Sequence, residues 1–418
     1  MRQIKKHFHI FIKEHGRSVP LVCLTALVMA LGVYYASLDG GPVSLKNEAL
    51  KVLEKCSKES YRPACYDREI PKLMDHLTME QAFEVTVGVQ EKDPQYLYCH
   101  VLGHNIADRE TAKDPSKWKE VVARCPVTMC NNGCPHGALM ARFRENIDDF
   151  LTDEQLESIK EDLKDVCEPR GSWNPREVER SMCYHGLGHL AMYITNGDLS
   201  KSSDLCEEIA VSPEGRSHVQ TCTEGAFMTI YQPLEPEDFA LVEDITPKKE
   251  DVAAFCSTYE DSAMRFNACR KEAWPLFRAE IFTSEGLAEF CSYAKDEYWR
   301  SSCFRSLMNP VTDKTIVELD DIEGFRDYCG GLPEEYQWYC VFGGAQRLIQ
   351  IDPKLTDKAL RFCETMEPLG TEVQDKCYVA MVQSAWMSFI PGSPEHKDYC
   401  SKLPERFEDQ CLNKSRRN

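Results

Sequence analysis

The chain has 418 residues, enough for a large core or several domains, and carries 68 Asp and Glu against 49 Lys and Arg for a net charge of -19. A body this acidic repels phosphate backbones, which argues against nucleic acid as a partner. Solubility alone accounts for such a charge.

The N-terminus departs from this balance. Residues 1–17 hold Arg2, Lys5, Lys6, Lys13 and Arg17 against Glu14 alone and read as a basic cytoplasmic tail. "VPLVCLTALVMALGVYYA" (Val19–Ala36) follows, apolar and uncharged over 18 residues, near the minimum that spans a bilayer. A basic segment before an apolar span predicts a single-pass signal anchor over 18–37 with the N-terminus in the cytoplasm. The competing reading is a cleaved signal peptide and a secreted product. The cleavage pattern is poor, because Tyr34 fills the position two before Ala36. Both readings put the body outside the cytoplasm, in a periplasmic, extracellular or lumenal space.

Cysteine usage fits that location. Of 21 cysteines, Cys23 lies in the apolar span and 20 lie in the body. An even number in an exported chain reads as a disulfide framework. Zinc ribbons would need close CxxC pairs, which the sequence lacks.

The cysteines write a repeat. "VAAFC", "LAEFC", "FRDYC", "LRFC" and "HKDYC" end at Cys256, Cys291, Cys329, Cys363 and Cys400, each with an aromatic just before the cysteine. A second cysteine follows each: Cys269, Cys303, Cys340, Cys377 and Cys411. The first half continues with Cys56 and Cys65, Cys125 and Cys134, Cys167 and Cys183, and Cys206 and Cys222. These pairs are the expected disulfides. Cys99 lacks a preceding cysteine and Cys130 is extra, so Cys99–Cys130 is expected to join two successive repeats.

A period of roughly 34–49 residues signals stacked helical pairs. "TDEQLESIKEDLKDVC" opens with a capping box, Thr152 and Gln155, and spaces Leu156, Ile159, Leu163 and Val166 as a helix does. Pro333 stands where a first helical turn tolerates proline. The expected fold is all-α: a solenoid of about ten disulfide-stitched helical hairpins behind the anchor. It resembles tetratricopeptide and Sel1-type repeats in period and helix pairing only, without their consensus residues. "YQPLEPEDFALVEDITPKKED" carries Pro233, Pro236 and Pro247 and breaks the series. It predicts a linker over 232–248 between half-solenoids 38–231 and 249–418.

The second helices of four consecutive repeats align. Two residues after the second cysteine stand His136 in "CPHGALM", His185 in "CYHGLGH" and Glu224 in "CTEGAFM", each followed by glycine. "CHVLGH" joins the series on its Gly-His, with His100 matching His185 and His104 matching His189. His100/His104 and His185/His189 are i, i+4 pairs, each on one helix face. Neighbouring helices pack about 8–10 Å apart, so these side chains would converge. The second half has Lys271, Arg305, Phe342 and Val379 at the matching places.

Two functional readings follow. In one, His100, His104, His136, His185, His189 and Glu224 bind a transition metal ion (zinc, copper or iron), and an open coordination position activates water for hydrolysis. In the other, the chain is a non-enzymatic protein- or peptide-binding scaffold whose histidines are structural. Gly137, Gly186, Gly188 and Gly225, which are unfavourable inside helices, then serve tight helix packing. The pattern is not HExxH, because Val101 and Gly186 stand where a zincin has Glu, and neither GxSxG nor a P-loop is present. Acidic clusters such as "LDDIE" (319–323) read as solvated faces, and the six tryptophans as core or repeat contacts. Asn413–Ser415 is a glycosylation sequon that matters only in a eukaryote.

Overall fold

The computed structural model describes residues 44–413 except 94, 95, 97, 98, 127, 128, 145–151, 172, 234 and 235. The tail and the apolar span over 18–37 lie outside the described residues. Among the described residues, no helix is long and apolar enough to cross a membrane.

The described chain is all-helical, and its only β-type pairings are two isolated bridges, Arg170 with Trp173 and Val211 with Ser217. Local sequence explains where helices start. Thr152 and Gln155 form the expected capping box on Asp153–Lys164, and Thr78 and Gln81 form another on Met79–Gln90. Pro333 is the N-cap residue of Glu334–Ile351.

Ten disulfides stitch the hairpins: Cys56–Cys65, Cys99–Cys130, Cys125–Cys134, Cys167–Cys183, Cys206–Cys222, Cys256–Cys269, Cys291–Cys303, Cys329–Cys340, Cys363–Cys377 and Cys400–Cys411. All these cysteines are buried except Cys125, which is partly so. Nine of the bonds tie the end of one helix to the next helix across a short turn, and Cys99–Cys130 spans 31 residues. Closing a loop of a dozen residues is worth about 3 kcal/mol in the chain-entropy model. So many disulfides point to an oxidising environment.

The second helices of successive hairpins pack on one another. They are labelled α1 (His100–Thr111), α2 (Gly133–Arg144), α3 (Glu177–Ile194), α4 (Val219–Tyr231), α5 (Ala263–Glu272), α6 (Glu297–Thr312), α7 (Glu334–Ile351) and α8 (Thr371–Ser388). α1 to α5 touch in sequence, as do α6, α7 and α8. α3 also touches α8, where the Arg176 guanidinium donates to the Ser388 carbonyl. Tyr298 at the start of α6 donates to Gln220 on α4 at 2.6 Å. The chain therefore curls back on itself.

The proline-rich segment 232–248 is partly ordered as a helix. Pro236 opens Pro236–Val242, where a missing N–H is harmless. The segment packs down: Val242 is buried, Tyr193 on α3 bonds Asp238, and Thr246 donates to the Ile230 carbonyl at 3.1 Å. One apolar cluster spans it, joining Phe227 and Ile230 before to Val252 and Cys256 after.

Candidate metal centre

α1 to α4 carry the aligned residues. Cys99 is tied to Cys130 and precedes α1 directly, which fixes the turn that presents His100. His104 lies one turn further on. Cys134 and Cys183 anchor α2 and α3 two residues before His136 and His185.

The structure brings five histidines into one cluster. His100 and His104 face each other with Nε2 atoms 3.0 Å apart. His136 stands between the two HxxxH pairs, its ring centroid 5.1 Å from His100, 5.8 Å from His104, 5.9 Å from His185 and 5.3 Å from His189. His185 and His189 are 5.0 Å apart. One nitrogen from each of His100, His104 and His136 lies within 4.8 Å of the others. A tetrahedral ion with metal–nitrogen bonds of about 2.0–2.1 Å sets its ligand nitrogens about 3.3 Å apart. The 3.0 Å between His100 and His104 is close to that spacing, and the nitrogen of His136 lies within 4.8 Å of both.

Hydrogen bonds fix two of the tautomers. His136 Nε2 lies 3.1 Å from the Met182 carbonyl, which can only accept, so Nε2 carries the proton. That leaves a lone pair on His136 Nδ1, an atom buried without a hydrogen-bond partner. The Thr229 hydroxyl donates to the Gly225 carbonyl at 3.2 Å, so its oxygen accepts from His189 Nδ1 at 2.8 Å. The His189 lone pair then sits on Nε2. Metal-binding histidines are held in this way, with the distal N–H on a backbone carbonyl or other acceptor.

Electrostatics keep His136, His185 and His189 neutral. Burial, with the neighbouring imidazoles adding to it, holds His136 and His189 well below the ordinary histidine value, and burial lowers His185 to about 4. Neutral imidazole is the metal-binding form.

Glu224 is not brought to the trio. Its carboxylate pairs with Lys271 Nζ on α5 at 2.5 Å and accepts from Gln220 at 2.8 Å. Lys271 also reaches Glu272 at 3.4 Å. Burial pushes the Glu224 carboxyl up, and Lys271 more than reverses this, leaving it below its ordinary value. With Glu224 committed to an ammonium, the centre is one of imidazoles. Such donors suit zinc, copper, iron and nickel rather than magnesium or calcium.

The glycines are explained by crowding. A Cβ on Gly188 would sit 1.9 Å from the Cys222 carbonyl oxygen, so α3 and α4 meet backbone to backbone there. At Gly186 a Cβ would come within 2.4 Å of the His136 ring, and the missing side chain makes room for that imidazole.

Three partners of the centre lie outside the aligned positions: the Met182 carbonyl, Thr229 and Met228, whose Sδ is 3.3 Å from His185 Nε2. Met228 and Thr229 follow Glu224 by four and five residues, so extending the alignment by one turn points to them. His396, Cys400 and Cys411 also cluster, but Cys400 and Cys411 are bonded to each other and offer no thiolate.

Comparison with protein-family models, curated proteins and solved structures finds no match to this chain.

Proposed function

We propose that this protein is an extracytoplasmic transition-metal-binding protein, with the ion held by imidazoles of successive helical repeats. His100, His104 and His136 are the primary ligands, and His185 and His189 complete the cluster. The observation that carries this reading is His136. It is 2% exposed, its Nε2–H is committed to a backbone carbonyl, and its buried Nδ1 lone pair has no protein partner. Leaving a buried polar atom unsatisfied is destabilising by about 1–3 kcal/mol, and a metal ion relieves it.

In this reading the hairpins stack as a solenoid, and the apolar span over 18–37 anchors the body to a membrane on its oxidising side. The disulfide framework supports the compartment. The repeated packing of α1 to α5 supports the stacking. The solenoid surface offers room for a protein or peptide ligand beside the metal. When bound, a metal with an open position supplies Lewis acidity or an activated water. The chain's own contribution is to fix ring orientation through Met182 and Thr229 and to keep His136, His185 and His189 neutral.

The test is competition between the full-length protein and a chromogenic zinc chelator. His136→Phe should lower zinc affinity by roughly 10- to 100-fold. The exposed control His76→Phe should leave it unchanged. Equal affinities for wild type and His136→Phe would remove His136 from the site.

A further inference from the structure

The turn after each aligned residue carries a second pattern. Four residues beyond His100, His136, His185 and Glu224 stand His104, Met140, His189 and Met228. Imidazole and thioether thus alternate along α1 to α4. Thioether sulfur is a soft ligand and binds zinc, iron(II) or manganese poorly, whereas it favours copper(I).

One pair is already in place. His185 Nε2 and Met228 Sδ face each other at 3.3 Å, both partly buried, with the His189 ring 5.0 Å from that of His185. In the tautomer that leaves Nε2 unprotonated, an ion taken at His185 Nε2 finds the thioether sulfur beside it. At 3.3 Å the two atoms touch with no room between them, and that is the spacing of two neighbouring ligands bound to one ion from the side.

We propose that the imidazole cluster continues into a thioether position formed by His185 and Met228, with His189 beside it, and that the ion taken there is copper(I). This rests on the imidazole site described above and adds the sulfur ligand and the choice of metal. Only binding is implied, with no change of oxidation state. Glu224, one turn from Met228, stays with Lys271, so the position carries no carboxylate that would favour a hard cation.

The experiment loads the full-length protein anaerobically with copper(I) alone. Copper K-edge absorption reads the ligand atoms, and competition with bicinchoninate reads affinity. The wild type should show a sulfur neighbour beside nitrogen. Met228→Leu, close in volume and apolar, should lose the sulfur and weaken copper(I) binding by roughly tenfold or more while zinc affinity stays the same. Met74→Leu, a buried methionine of the first repeat, should change neither reading. Copper bound by nitrogen alone in the wild type would overturn the thioether position and leave the imidazole site standing. The same holds if Met228→Leu keeps both sulfur and affinity. Failure of copper(I) and zinc alike to bind would instead refute the imidazole site and this inference with it.

Discussion

Gly188→Ala tests the helix crossing on which the centre is built. Alanine is the better helix former by about 1 kcal/mol, so propensity alone predicts a gain in stability. The structure predicts the opposite. The new methyl would lie 1.9 Å from the Cys222 carbonyl oxygen and 2.7 Å from the Ala226 nitrogen, both backbone atoms of α4. Reaching ordinary contact requires a shift of roughly 1.5 Å. α4 is held at that point by the Cys206–Cys222 bond, and the fully buried Leu187, Ala191, Ala226 and Phe227 pack around the crossing. Overpacking of this kind is destabilising by about 1–3 kcal/mol, and the lost contacts bring the net effect to about 2 kcal/mol. Equilibrium urea unfolding followed by far-UV circular dichroism reads it as a lower midpoint. Gly88→Ala, whose Cβ would meet only the Ala49 methyl at 3.0 Å, should change stability far less. A neutral or stabilised Gly188→Ala would show that α3 and α4 do not meet backbone to backbone.

Three further outcomes follow from the same geometry. Replacing Cys206 and Cys222 together by serine opens a 16-residue loop and should lower unfolding free energy by about 3 kcal/mol; a loss within error of zero contradicts the framework's role. Lys271→Met strands Glu224 and Glu272 without their cation and should destabilise by about 3–5 kcal/mol, and adding Glu224→Gln and Glu272→Gln should restore most of that; no recovery in the triple variant speaks against the ion pairs as the cause. The third concerns pH. Burial lowers His185 to about 4 in the folded protein, against about 6.5 when unfolded. The unfolded chain therefore takes up this proton first as pH falls. This contribution is full above pH 6.5 and is lost between pH 6.5 and 4, so the metal-free urea midpoint should drop over that window, less steeply in His185→Gln. Identical slopes for the two proteins would contradict the burial of His185.

The disulfide pairs were legible in the sequence because each reports a local event, two helices closed across a short turn, repeated with small variation. Even the exception at Cys99 could be read, since only Cys130 was left without a local partner. The histidine cluster was legible for a related reason: equivalent positions in successive hairpins lie side by side. Glu224 shows the limit. It shares the register of His185, yet Lys271 occupies that same register one helix later, and a full countercharge at 2.5 Å outweighs the pull of a neutral imidazole. Position was readable; the competition between neighbours was not. The Met182 carbonyl carries no residue-type signal, and the contact of α3 with α8 depends on accumulated curvature, which spacing does not encode. The glycines were readable as a cost, and the structure assigns the cost of Gly188 to helix contact and that of Gly186 to room for the His136 ring.

The most direct test of the central claim is metal content. The full-length protein, stripped with a chelator, reconstituted at neutral pH and desalted, would be analysed by inductively coupled plasma mass spectrometry. A His100→Ala, His104→Ala, His136→Phe triple variant would be carried alongside. The account predicts stoichiometric transition metal in the wild type and little in the variant, with helical circular dichroism unchanged because the disulfides remain. Wild-type protein that retains no metal, or a triple variant that retains as much as the wild type, would contradict it.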